Sequence, residues 1–178
     1  PLLSVSPRQI NYLIPAHAAI GPASVRVIVG EATVADETLF LQQAAPGLFS
    51  ANRDGRGLAA AQAVRIGPDG SQRLLEVFQC GAAAASCVPV PIDLGPGSEE
   101  VVLILYGTGI RGRRDLASLR VTIGGEPAEV LYAGPQRDYP GLDQVNVRLP
   151  RNLASRGPVD VVLTVENQTA NTVQVSIK

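Results

Sequence analysis

The chain has 178 residues, of which 46% are hydrophobic and 4% aromatic, and its net charge is −1. This near-neutral balance argues against the basic surface that binds nucleic acids, and no apolar run approaches the ~20 residues of a membrane-spanning helix. The core must come from Val, Leu, Ile and Ala, which suit pleated strands. The 18 glycines and 14 prolines favour short strands joined by tight turns.

The two cysteines indicate a cell compartment. The chain begins at Pro1, lacks methionine and shows no signal peptide, which predicts a processed product, a fragment or a chain of which only part is resolved. Cys80 and Cys87 are too few for a zinc site, since the one histidine, His17, lies far away, and a redox pair is usually Cys-x-x-Cys. We predict a local disulfide in an oxidising, extracytoplasmic setting; two buried free thiols are the alternative.

Two stretches of the sequence occur twice, once near each end. Gln9–Pro15 (QINYLIP) matches Gln144–Pro150 (QVNVRLP), and Gly21–Val29 (GPASVRVIV) matches Gly157–Val165 (GPVDVVLTV). Because both stretches show the alternation of half-buried strands, they predict a repeated β unit and hence two related lobes.

The first lobe is predicted to span residues 1–46. Gln9–Ile14 and Ser24–Val29 alternate between two faces, as half-buried strands do. Thr38–Gln42 is predicted to form a further strand, and the Ala, Pro and Gly residues of Ala44–Gly47 break it.

Residues 47–98 are predicted to be a connecting β segment that contains the disulfide loop. Ala59–Ile66 and Arg73–Gln79 are predicted strands on either side of a turn at Gly67–Gly70. The prolines of 89–96 make the rest of the segment extended and poorly suited to a central strand.

The second lobe is predicted to span residues 99–178. Glu100–Tyr106 is apolar on both faces and should be a central strand, and Leu119–Ile123 pairs with Ala128–Tyr132 across the turn at Gly124–Gly125. The residues predicted to be buried in this lobe are Leu103, Leu105, Val121, Val145, Val147, Val161, Leu163 and Val175.

The predicted fold class is all-β, with two immunoglobulin-like β-sandwich lobes related by the repeat and the first of them incomplete. Before its Gln-Val-Asn unit the second lobe has the strands Glu100–Tyr106 and Leu119–Ile123 and a return strand, whereas the first has only Pro1–Arg8, which matches the return strand. An open edge recruits a strand. The donor is predicted to be another chain, or Leu48–Gln79 of the same or the next chain; truncation is the remaining explanation.

Four phrases of the sequence resemble one family: Ser6–Asn11 (SPRQIN), Leu105–Gly109 (LYGTG), Val121–Ala128 (VTIGGEPA) and Gly141–Val147 (GLDQVNV). It is an uncharacterised C-terminal domain family of secreted and surface proteins of acidobacteria. The third phrase also resembles immunoglobulin-like modules of the IPT/TIG type. The resemblance implies an extracellular or cell-surface location and a β-sandwich, but no catalytic residues. Family members carry more sequence before the first Gln-Ile-Asn, including another glycine-rich hairpin.

The chain is not predicted to be an enzyme and is predicted to need no cofactor. A single histidine, His17, and the lack of a Gly-x-Ser-x-Gly motif leave a nucleophile without its base. The adjacent carboxylates of Glu99 and Glu100 point to opposite faces of a strand, so they cannot flank one glycosidic bond.

The remaining polar motifs are predicted to be surface turns. Asn52, Asp54 and Asp69 are weak calcium candidates, because their segments offer few of the six to eight oxygens that calcium binds, so no metal site is predicted. Arg111–Arg114 is interpreted as a solvated turn. Asn167–Thr169 fits the glycosylation pattern and is interpreted as an unmodified turn.

Two pairs of amides recur in both copies of the repeat. Gln9 and Asn11, like Gln144 and Asn146, lie two residues apart on one strand face. They could bind sugar hydroxyls, or they could satisfy the backbone of the preceding loop. Their recurrence favours the structural role, since a ligand site has no need to occur twice.

These observations predict a non-catalytic extracellular structural subunit. It would assemble with other copies of itself through β-strand complementation, into a surface filament or pilus-like polymer. The alternative is a surface-anchored adhesion or carbohydrate-binding module, although the few aromatic residues offer little platform for sugars. No nucleic-acid partner and no membrane span are predicted.

Overall fold

A computed structural model describes residues 1–82 and 86–178. The regular structure of these residues is β-strand, apart from one 3-10 turn at Arg151–Leu153, which confirms the predicted all-β class. In the described ranges, no helix has the length and apolar character needed to cross a bilayer. The chain divides into two compact units, Pro1–Gln43 and Ala44–Lys178.

The first unit consists of two antiparallel hairpins. Its strands are β1 (Leu2–Ser6), β2 (Gln9–Tyr12), β3 (Gly21–Val29) and β4 (Ala32–Leu41). Pro7 and Arg8 form the turn of one hairpin, and the turn of the other contains Gly30, whose φ of 62° favours glycine. Within the described chain each hairpin remains a two-stranded sheet.

The first unit has no buried core. Every residue of Pro1–Gln43 is described, and none of them is buried. A lone two-stranded hairpin is marginally stable in water, because it has too little apolar surface to cover. The unit's exposed large apolar side chains are those of Leu2, Leu3, Val5, Tyr12, Ile14, Ile20, Ile28, Val29, Val34, Leu39 and Phe40.

The second unit contains the remaining strands. They are β5 (Gly47–Leu48), β6 (Gly57–Leu58), β7 (Ala61–Ile66), β8 (Gln72–Leu75), β9 (Phe78–Cys80), β10 (Cys87–Pro89), β11 (Glu100–Thr108), β12 (Leu119–Ile123), β13 (Glu126–Pro135), β14 (Asp143–Arg148), β15 (Gly157–Val165), β16 (Gln168–Thr169) and β17 (Val173–Ile177). All but the β9–β10 hairpin join one sheet, whose main order is β6-β17-β15-β12-β13-β14-β11-β7-β8.

The sheet of the second unit curls around a single core. Its middle strand, β13, pairs with β12 through Ala128 and with β14 through Ala133, and the register shifts between Val130 and Tyr132. A bulge of this kind bends a strand. Side chains from both halves of the sheet therefore meet in one hydrophobic cluster.

The predicted core of the second unit is confirmed. All eight residues expected to be buried are at most 2% exposed, and they are Leu103, Leu105, Val121, Val145, Val147, Val161, Leu163 and Val175. Residues 47–98 also belong to this unit. β7 lies along Glu100–Leu105, and its buried alanines, Ala61 and Ala63, join the core. The proline-rich part forms no central strand: β10 pairs with β9, and Ile92 bridges to Ile177. Its Ile92 and Leu94 are nevertheless buried in the core.

Candidate functional site

The β3–β4 hairpin repeats the β15–β17 region without insertion or deletion. Gly21 lies opposite Leu41 at the base of one hairpin, as Gly157 lies opposite Ile177 in the other. Glu166, which matches Gly30 at the turn, also has a positive φ, of 49°. The repeat seen in the sequence is therefore a repeat of backbone register.

The β1–β2 hairpin repeats the pairing of β13 with β14, although the loop that joins its strands is shorter. The shift of register falls at Leu3 in β1 and at the matching Leu131 in β13. Next to these shifts, Asn11 and Asn146 occupy the same rung of the two ladders. Even the irregularity of the sheet is thus shared between the units.

The first unit lacks the two strands that close the second unit. In the second unit β11 covers the outer edge of β14, with Leu105 opposite Val145, and β12 covers the outer edge of β15. The matching edges of β2 and β3 carry no strand in residues 1–82 and 86–178. The first unit therefore leaves the edges of β2 and β3 open, at the places that β11 and β12 fill in the second unit.

The strands of Leu48–Gln79, predicted as donors to the first unit, belong to the second unit, and all of them except β9 lie in its large sheet. β7 is paired on both sides, with β11 and with β8. It is therefore not the strand that completes the first unit within the chain. The outer edge of β8, by contrast, has no neighbour among the described strands.

The face that would be covered in the first unit is largely apolar. Ile10, Val25 and Val27, which match the buried Val145, Val161 and Leu163, are half-buried. Glu37 is the exception, because it stands where the second unit has the buried Val173.

The amide pairs contact each other in both units. Nε2 of Gln9 donates to Oδ1 of Asn11 at 2.7 Å, and Nε2 of Gln144 donates to Oδ1 of Asn146 at 2.8 Å. Within the described ranges, none of these four side chains bonds to the backbone of the preceding loop, which was the expected contact. In both units, the two amide side chains therefore bond to each other along one face of their own strand.

Asp143, a buried carboxylate that was not among the predicted site residues, lies at the start of β14. It accepts the backbone N–H groups of Ile110 at 2.7 Å and Arg111 at 3.1 Å, and Nε of Arg111 at 2.6 Å. The carboxylate therefore clamps the loop that leaves β11. The sequence feature that could have pointed to this contact is the acidic residue directly before the Gln-Val-Asn unit.

Arg8 occupies the position of Asp143 in the first unit. The alignment that pairs Gln9 with Gln144 sets Arg8 against Asp143. The side chain of Arg8 is exposed and has no hydrogen bond or ion pair within the described ranges. A guanidinium only donates, so a strand placed here has to bring an acceptor.

Arg111, Gly112 and Arg114 are exposed in a turn, as predicted, but the arginines of this turn also make long-range contacts. Arg111 binds Asp143, and Arg113 donates through Nη2 to the carbonyl of Ala133. Arg114 binds Glu166, with Nη2 2.9 Å from Oε2, and its backbone N–H donates to Oε1 at 2.8 Å. The partners lie far away in sequence, so local pattern could not reveal them.

Those contacts change the acidity of Glu166. The backbone N–H and then the guanidinium of Arg114 stabilise the charged form, and they lower the pKa of Glu166 from 4.5 to about 2. The ion pair joins the loop after β11 to the turn after β15.

The calcium candidates lie in two separate turns. The carboxylate of Asp54 accepts hydrogen bonds from the backbone N–H of Arg56 and the hydroxyl of Ser50, and these bonds lower its pKa.

The other two candidates are also held by local hydrogen bonds. Oδ1 of Asn52 accepts the backbone N–H of Cys87 at 2.9 Å. Asp69 accepts from the hydroxyl and N–H of Ser71, which lower its pKa. Among the described residues no three His, Cys, Asp or Glu side chains form a metal-binding group.

Cys80 and Cys87 form the predicted disulfide, with an S–S distance of 2.01 Å. It joins the facing ends of β9 and β10, and Ala83–Ala85 of its loop lie outside the described residues. His17 and Asn167 are exposed residues of turns.

The protein is therefore all-β. Its second unit has a hydrophobic core, and its first unit consists of two hairpins with unpaired edges. Comparison of the chain with family models, curated proteins and solved structures found no match. Its function has to be inferred from its own contacts and open edges.

Proposed function

We propose that the protein is a non-catalytic, extracellular structural subunit that assembles with copies of itself through β-strand complementation, into a surface filament or pilus-like polymer. One observation carries the proposal. The four strands of the first unit repeat strands of the second unit, which has a hydrophobic core, yet the edges of β2 and β3 are open and no residue of the first unit is buried.

An open strand edge that lies beside exposed apolar side chains favours the addition of a strand. The exposed N–H and C=O groups of an edge pair with an incoming strand, whose side chains also cover the adjacent face. A contact between unlike surfaces of two copies produces a filament when the rotation that relates the copies does not close a ring.

An extracellular location for the assembly is supported by two features. The Cys80–Cys87 disulfide suits an oxidising compartment. The resemblance to a family of secreted and surface proteins agrees with it.

Light scattering over a concentration series and negative-stain microscopy test the proposal. We expect elongated particles that grow with protein concentration. Ile10→Lys should prevent assembly, because it places a charge on the open face of β2. Leu116→Lys is the matched control, since Leu116 is an exposed residue of the second unit and should tolerate the charge. A parent protein that stays monomeric throughout the series contradicts the proposal.

A further inference from the structure

We propose that the donor strand is β8 of a second copy, which takes on β2 the place that β11 takes on β14. The inference deepens the proposed function and rests on it. It names both surfaces of the contact and the register in which they meet.

The strand β8 is suited to donation. It ends the sheet of the second unit and is paired on one side, through Ala63–Ile66 of β7. It has four residues, as β2 does. The opposite end of the sheet, β6, has two residues, too few to cover β2.

The charges at the two edges are complementary. Arg8 lies directly before β2 and Glu76 directly after β8, and both side chains are exposed. Glu76, like Arg8, makes no ion pair or hydrogen bond within the described part of the chain. An incoming β8 would bring the acceptor that Arg8 needs at the place of Asp143.

A single antiparallel register satisfies both the charges and the apolar side chains. In the second unit, the carboxyl end of β11 lies beside Asp143, with Gly107 opposite it. When β8 lies on β2 in that direction with Glu76 opposite Arg8, Leu74 falls opposite Ile10. Leu74 is 63% exposed, so its side chain is available to the open face. Facing pairs of opposite charge and facing apolar pairs both stabilise antiparallel ladders.

The contact is heterologous, because the first unit of one copy meets the second unit of the next. Each copy has both a β2 edge and a β8 edge, so a copy that has used one edge can bind a further copy through the other. Repetition of the contact therefore extends a chain of subunits.

Charge reversal in the full chain tests the register. Arg8→Glu sets two carboxylates against each other, and Glu76→Arg sets two cations against each other. Each should raise the concentration needed for assembly by about tenfold or more, because like charges in a contact are unfavourable. Arg137→Glu makes the same charge change as the first variant at an exposed site of the second unit and should leave assembly unchanged.

Restoration provides the decisive readout. The double variant Arg8→Glu/Glu76→Arg should assemble like the parent, and an equimolar mixture of the two single variants should co-assemble, since each supplies the charge that the other needs. Hydrogen exchange should show new protection at Gln9–Tyr12 and Gln72–Leu75. A parent that assembles while the reversals have no effect, or single variants that fail to co-assemble, overturn this inference alone. A parent that never assembles overturns the proposed function.

Discussion

The carboxylate of Asp143 is fully buried, and its Oδ1 lies 2.6 Å from Nε of Arg111. Its other oxygen accepts the backbone N–H groups of Ile110 and Arg111. Asp143→Ala would leave these donors without their acceptor, so we expect the free energy of unfolding to fall by about 3–5 kcal/mol. Urea unfolding at neutral pH measures the loss.

Arg111→Ala is the matched control for Asp143→Ala. The guanidinium is 40% exposed, and its removal leaves Asp143 with both backbone donors. We expect a loss of about 1 kcal/mol. Equal losses from the two variants would show that Asp143 does not act as the clamp of the β11 loop.

The sequence allowed prediction of the strands in which apolar and polar residues alternate and of the segments that occur twice in the chain. Val145 and Val147 alternate with polar neighbours along one strand, and both are buried. The repeat located β2 and β3, because Gln9–Tyr12 and Gly21–Val29 have counterparts in the second unit. β4 was predicted only from Thr38 onwards, whereas it begins at Ala32.

The sequence did not reveal the long-range polar contacts. Asp143 and Arg111 are separated by a strand, a turn and a second strand, so no local pattern connects them. The place of Ala61–Ile66 was missed for a similar reason. The segment was predicted to be a strand within Ala59–Ile66, but its pairing with β11 depends on the free edge of that strand.

Gly109 is a glycine that the fold requires. Its φ is +70°, and a Cβ there would lie 2.0 Å from the carbonyl oxygen of Ala45. Gly109→Ala should therefore lower the free energy of unfolding by about 2 kcal/mol or more, since both backbone strain and overlap oppose it. Gly97→Ala is the control, because nothing lies within 4 Å of its Cβ position. Similar urea midpoints for the two variants would contradict the expectation.

Leu103 lies at the centre of the second unit and is fully buried. Leu103→Ala should lower the free energy of unfolding by about 2–5 kcal/mol, because it removes apolar contacts and leaves a cavity. Leu74→Ala, at a side chain that is 63% exposed, should change it little. Thermal and urea unfolding of both variants give the comparison, and a Leu103→Ala protein as stable as the parent would rule out a central place for β11.

The Cys80–Cys87 bond should stabilise the β9–β10 hairpin. Replacing both cysteines by serine should lower the free energy of unfolding by about 2–3 kcal/mol, because the loop regains its freedom in the unfolded chain. Urea unfolding of parent and double variant measures the effect. Mass spectrometry after alkylation without reductant is the direct check, and native protein with two alkylated thiols would refute the bond.

Acid should weaken the contact between Glu166 and Arg114. Its partners lower the pKa of Glu166 from 4.5 to about 2, so the unfolded chain takes up a proton between these values before the folded chain does. The stabilisation is therefore complete above about pH 4.5 and is lost as the pH falls towards 2. Glu166→Gln should lower the urea midpoint at pH 6–7, and the difference from the parent should shrink steadily as the pH falls through this window. A difference that is independent of pH would show that the carboxylate's charge contributes nothing to stability.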